Sequence, residues 1–148
     1  MLALISCSGS WIGTYLLQMR PDDPGVRSDT NLTVTPVLQD RFVRLDQTWV
    51  WEGQPQEGTM LVGRVPDGEA TAHWADTWHN GHSVMALRGS AGADGSVDLL
   101  GSYPARPGPD WGWRIRIEPG ADRLTILMFN IHPQEGEIPA VTSEYTRA

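Results

Sequence analysis

The sequence predicts an all-β fold, an antiparallel up-and-down barrel of about ten strands with little or no helix. Three observations predict it. Helical periodicity is nearly absent from the 148 residues. Short β-branched and aromatic runs recur instead roughly every 10–14 residues, with Gly, Pro, Asp and Asn between them. Each run carries one apolar face, and closing such a sheet on itself removes its exposed edges. A barrel of about eight to ten strands also keeps an interior wide enough for one small ligand. The length suits a single domain, residues 1–148.

The strands are expected near 9–20, 30–39, 41–52, 58–65, 70–79, 82–90, 96–103, 111–118, 123–132 and 139–147. The turns between them set which side chains face in. "HNGH" reads as a two-residue Asn-Gly hairpin closed by His79 and His82. It pairs Asp76 with Met85 and Trp74 with Leu87. Side chains alternate along a strand, so Trp74, Asp76, Trp78, Ser83, Met85 and Leu87 share one face. His73, Ala75, Thr77, His79, His82, Val84, Ala86 and Arg88 share the other. The first set is heavier and more apolar and is assigned to the interior, which leaves both turn histidines outside at a rim. "PDGE" sets Leu61 opposite Trp74 and Gly63 opposite Ala72, all facing in. Carried across a "GQPQEG" loop, the same parity places Trp49 and Trp51 inside. "PGAD" pairs Glu118 with Arg123, Ile117 with Leu124, Ile115 with Ile126, Trp113 with Met128 and Trp111 with Asn130. The Trp/Ile/Met side is the inner one, and Arg114, Arg116, Thr125, Leu127 and Phe129 face out. "AGADGS" leaves open whether Leu99 or Leu100 points inward.

The formal net charge is -7, and all eleven basic residues are Arg, the mark of a GC-rich genome's codon usage. An acidic surface is a poor match for phosphate backbones, so no nucleic-acid partner is expected. No apolar run approaches the roughly 18 residues of a membrane span. Cys7 is the only cysteine, which rules out an intrachain disulfide. "LISC" (Leu4 to Cys7) has the look of a lipoprotein cleavage site, but six residues without a basic one are too short a leader. The expectation is a cytoplasmic protein that begins at its own first strand, with no membrane partner.

"GSWIGTY" (Gly9 to Tyr15) opens the first strand and "EYTR" (Glu144 to Arg147) closes the last. This resembles the lipocalin and calycin pattern, in which a tryptophan of strand one packs beneath an arginine of the final strand. The resemblance implies that Trp11 and Arg147 close the barrel through a cation–π contact. With "HWADTW" in mid-chain, most of the sequence is similar to a lipocalin-like family of uncharacterised bacterial proteins, the domain of unknown function 1579 type. That resemblance supports the fold and brings no activity with it. Related nitrobindin-like barrels bind haem, but their Gly-x-Trp-x-Gly-x-Gly opening lacks its last glycine here, where Tyr15 stands. No haem and no other cofactor is expected.

Seven tryptophans are many for this length: Trp11, Trp49, Trp51, Trp74, Trp78, Trp111 and Trp113. They read either as a bulky core or as walls for a flat apolar ligand. The first functional expectation is a barrel that binds a small apolar or aromatic molecule. Trp49, Trp51, Trp74, Trp78, Trp111, Trp113 and Met128 would line its cavity, with Asp76, Asn130 and His132 as polar fixing points. The second is a cofactor-free isomerase, cyclase or hydrolase of a secondary metabolite, with Asp76 or His132 as acid or base in the same cavity. The third is a structural or oligomerisation module, a homodimer being its simplest form, with Leu127 and Phe129 in an outer apolar patch. Tyr15 and Tyr145 read as core. No metal is expected. His79 and His82 lie close enough to share an ion, but His73 is too far along the strand and Asp76 points the other way, while zinc needs three or four ligands. No nucleophile–His–acid spacing and no nucleophile elbow are present.

Overall fold

Burial alternates along Phe42–Trp51: Val43, Leu45, Gln47 and Trp49 are buried, whereas Arg44, Thr48 and Val50 are exposed. Period two of this kind marks a sheet with one apolar face. The computed structural model, which describes residues 2–148, repeats the pattern in ten strands. They are β1 (Gly9–Leu17), β2 (Val26–Val37), β3 (Phe42–Trp51), β4 (Gln54–Arg64), β5 (Glu69–Asp76), β6 (Met85–Ala91), β7 (Val97–Tyr103), β8 (Trp111–Pro119), β9 (Arg123–His132) and β10 (Gly136–Arg147). Each strand pairs antiparallel with its sequence neighbours, and β1 pairs with β10 to close the barrel. The chain does not begin at its first strand. A short helix, α1 (Leu2–Ser6), precedes β1. Among the described residues no helix is long and apolar enough to cross a membrane.

The helix plugs one end. Leu4 and Cys7 are fully buried there, and Trp11 lies above them without exposure. The Trp11 indole N–H donates to the Cys7 carbonyl at 2.8 Å. The Arg147 guanidinium sits 4.2 Å from the Trp11 ring centre. It also donates to the Ser8 carbonyl at 2.7 Å and the Ser6 carbonyl at 2.9 Å, which ties the last strand to the end of α1. Gly13 of the opening motif meets β10 so closely that a Cβ there would collide with the Glu144 carbonyl. The opposite end gathers the longer connections, residues 18–25, 77–84 and 104–110.

Four turns differ from expectation, each for a local reason. β5 and β6 do not meet through a two-residue Asn-Gly turn. Trp74 pairs with Met85 and Ala72 with Leu87, two residues out of the expected register. Asp76 causes the shift, because its carboxylate gathers the next backbone N–H groups and leads the chain off the strand. Ser83, expected inside, is consequently exposed in the loop. At "PDGE" the turn holds three residues. The Val65 N–H donates to the Glu69 carbonyl around Pro66–Gly68, with Gly68 at φ 80. A one-residue difference flips every side chain, so the buried Met60 and Val62 pair with Trp74 and Ala72, while Leu61 pairs with His73 and Gly63 with Thr71.

The expected "GQPQEG" loop is a two-residue turn at Glu52 and Gly53, both at positive φ (48° and 75°), and β4 starts directly after it. Pro119 stays in β8 as its last residue, where a missing N–H costs little. The β8–β9 register therefore moves by two and pairs Ile117 with Ile126 and Trp113 with Asn130, leaving the faces as expected. Leu99 is 0% exposed and Leu100 is 53% exposed, which settles the orientation of β7.

Candidate ligand-binding site

Asp76 ends β5 with its side chain wholly buried. A carboxylate can sit there only if hydrogen bonds replace its water. One oxygen, Oδ1, accepts the backbone N–H groups of Trp78 (3.1 Å), His79 (2.6 Å) and Asn80 (3.0 Å). The other, Oδ2, accepts the Nδ1–H of His79 at 2.5 Å. An ionised carboxylate only accepts, so this bond requires a hydrogen on Nδ1, and in the neutral imidazole Nε2 is then an acceptor. The His79 side chain is 10% exposed, and Nε2 has no partner among the described residues.

The ring of His79 lies among four tryptophans, with centroids 4.6 Å from Trp78, 5.2 Å from Trp113, 5.4 Å from Trp74 and 6.4 Å from Trp49. Two stacked pairs span the interior: Tyr15 on Trp49 at 4.8 Å, and Trp74 on Trp113 at 5.3 Å. The rings are packed on one another. Three further polar atoms are buried in this cluster without a partner: Trp49 Nε1, Trp113 Nε1 and the Tyr15 hydroxyl. Burial, and then the nearby Asp76 and Tyr145, hold the Tyr15 phenol well above its ordinary pKa. By contrast the Tyr145 hydroxyl meets Thr30 at 3.2 Å and donates to Gln47 Oε1 at 3.4 Å, whereas the buried Ser143 Oγ, opposite Tyr15 on β10, is a further atom without a partner among the described residues.

Residues 2–147 match the family described as "Protein of unknown function (DUF1579)". The chain belongs to the DUF1579 family. No curated protein matches it. Its fold is similar to the crystal structure of Rv2717c from M. tuberculosis, with a TM-score of 0.68 and 16% identity over 99% of this chain and 96% of that one. At that identity the likeness extends to the fold alone.

Within this DUF1579 barrel the residues singled out from sequence fall into three groups. Trp49, Trp74, Trp78, Trp113 and Asp76 come together around His79, with Trp51 packed on Trp78 at 5.4 Å. Met128 is fully buried beside them in β9. Trp111, Asn130 and His132 form a second patch at the same end. Trp111 packs edge-on against His132 at 4.8 Å, and the Tyr103 hydroxyl donates to Asn130 Oδ1 at 2.5 Å. The His132 Nδ1 accepts the backbone N–H groups of Gln134 and Glu135, so it braces the turn into β10. Trp11 and Arg147 lie at the far end, as does Cys7. Leu127 and Phe129 are half-buried on the outer wall, with the Arg116 guanidinium 5.6 Å from the Phe129 ring.

His79 is the residue that sequence reasoning placed wrongly. Expected outside at a rim, it turns inward because Asp76 holds it, whereas His82 is exposed. The available signal was the Asp-x-x-His spacing, in which a carboxylate at a strand end caps the following turn. Among the described residues no three His, Cys, Asp or Glu side chains converge as a metal site would require.

Proposed function

We propose that this barrel binds a small, mostly apolar or aromatic molecule in the ring cluster around His79. The observation that carries the proposal is the set of buried, unpartnered polar atoms in an otherwise apolar cluster. Buried polar groups are ordinarily hydrogen-bonded, and exceptions are a reason to look for a missing partner. Four of them share one end of one barrel, beside rings that suit a flat guest. The rings pack closely on one another, so binding requires the Trp78 ring of the 77–84 loop to move aside while Asp76 keeps His79 in place. The ladder between β6 and β7 runs only from Arg88–Leu100 to Ala91–Val97, which leaves the wall beside this loop without pairing near Met85. The test is intrinsic tryptophan fluorescence during titration with aromatic and long-chain aliphatic compounds. Saturable quenching by aromatic compounds is expected, and a flat response across both classes would sink the proposal.

The Asp76–His79 pair favours a second reading, acid–base catalysis on such a molecule. A carboxylate that fixes an imidazole and leaves Nε2 bare is the arrangement of a general base. His79 then takes the role assigned from sequence to His132, whose Nδ1 is committed to backbone N–H groups.

A further inference from the structure

The unpartnered atoms around His79 are chemically selective. In the neutral imidazole with its hydrogen on Nδ1, His79 Nε2 accepts; the indole N–H groups of Trp49 and Trp113 only donate, and the Tyr15 hydroxyl does either. A hydrocarbon would cover the rings and leave all four unmet. A carboxylate would offer acceptors to the indoles but would bring its charge against the Nε2 lone pair, with Asp76 directly behind. A hydroxyl on an aromatic ring answers both needs, because its O–H donates to Nε2 and its lone pairs accept an indole N–H. The oxygen would also keep its proton. Tyr15, itself a phenol in this cluster, is held neutral well beyond its ordinary range by burial and by Asp76.

We propose that the cluster selects neutral aromatic hydroxyl compounds, and that His79 is the residue that determines this specificity. The inference rests on the binding reading above and narrows it to a ligand class.

Three probes of similar shape test it by calorimetric titration: 2-naphthol, 2-methylnaphthalene and 2-naphthoate. With the natural chain, 2-naphthol should bind at least about tenfold more tightly than either of the others, since the hydrocarbon leaves buried polar groups unpaired. In His79→Phe the rings are kept and the acceptor is lost. The 2-naphthol preference over 2-methylnaphthalene should fall to near parity. Trp113→Phe removes one donor without touching Asp76, so it serves even if the His79 variant does not fold. It should cut the 2-naphthol advantage several-fold. Equal or tighter binding of 2-methylnaphthalene or 2-naphthoate to the natural chain would overturn the assignment. A 2-naphthol preference that survives both substitutions would overturn it too. Binding of none of the three would instead strike at the binding reading itself, so the two failures are distinguishable.

Discussion

Asp76→Ala is expected to lower the unfolding free energy by about 3–5 kcal/mol, because a fully buried group with four donors aimed at it is removed. The backbone N–H groups of Trp78, His79 and Asn80 lose their shared acceptor, and His79 Nδ1 loses its partner. Alanine offers none of them an oxygen. For a chain of this size the melting temperature should fall by about 10 °C or more. Thermal unfolding followed by circular dichroism measures it. Asp76→Asn keeps one oxygen for the backbone and should cost less. Its amide, however, is a donor toward Nδ1, which should drive the imidazole proton to Nε2. A loss below about 1 kcal/mol in the alanine variant would mean that the carboxylate does not organise the 77–84 loop.

The second large effect is at the opposite end. Trp11→Ala should destabilise by about 3–5 kcal/mol, the range for deleting a fully buried large aromatic side chain. Here the loss extends past the cavity. The Cys7 carbonyl loses the indole donor at 2.8 Å, and Arg147 loses the ring 4.2 Å beneath it. Denaturant unfolding should show a lower midpoint with little change in slope, as for a fold that is weakened but not remodelled. Arg147→Ala should cost less, since its guanidinium lies partly in water and the Trp11 ring remains packed. A Trp11→Ala effect no larger than that of Arg147→Ala would contradict the view that the indole is the keystone of the helix end.

The barrel was legible because its evidence is redundant. Ten apolar-faced strands with short turns leave little choice of architecture, and a register error of two residues at "HNGH" or "PGAD" keeps every side chain that remains in the ladder on its proper face. That is why Asp76, Trp74 and Trp113 are inward as expected despite wrong pairings. An error of one residue is not forgiven, and the three-residue turn at Pro66–Gly68 exchanged Leu61 for Met60. The site was harder to read because its decisive residue lies in a loop. Period-two arithmetic applied to His79 assumed that the strand continued, while the Asp76 side chain had already ended it. Whether tryptophans line a space or fill it depends on ring orientation. The stacking of Trp74 on Trp113 and of Tyr15 on Trp49 comes from pairings across the barrel that no local pattern encodes.

Asp76 fixes His79 so that the imidazole presents a bare acceptor to a buried aromatic cluster. Nitrogen-15 NMR of the His79 imidazole tests it most directly. In the free protein a proton is expected on Nδ1 and none on Nε2, with the Nε2 resonance moving when 2-naphthol is added. A proton found on Nε2 in the free protein, or an Nε2 resonance unmoved by saturating 2-naphthol, would contradict it.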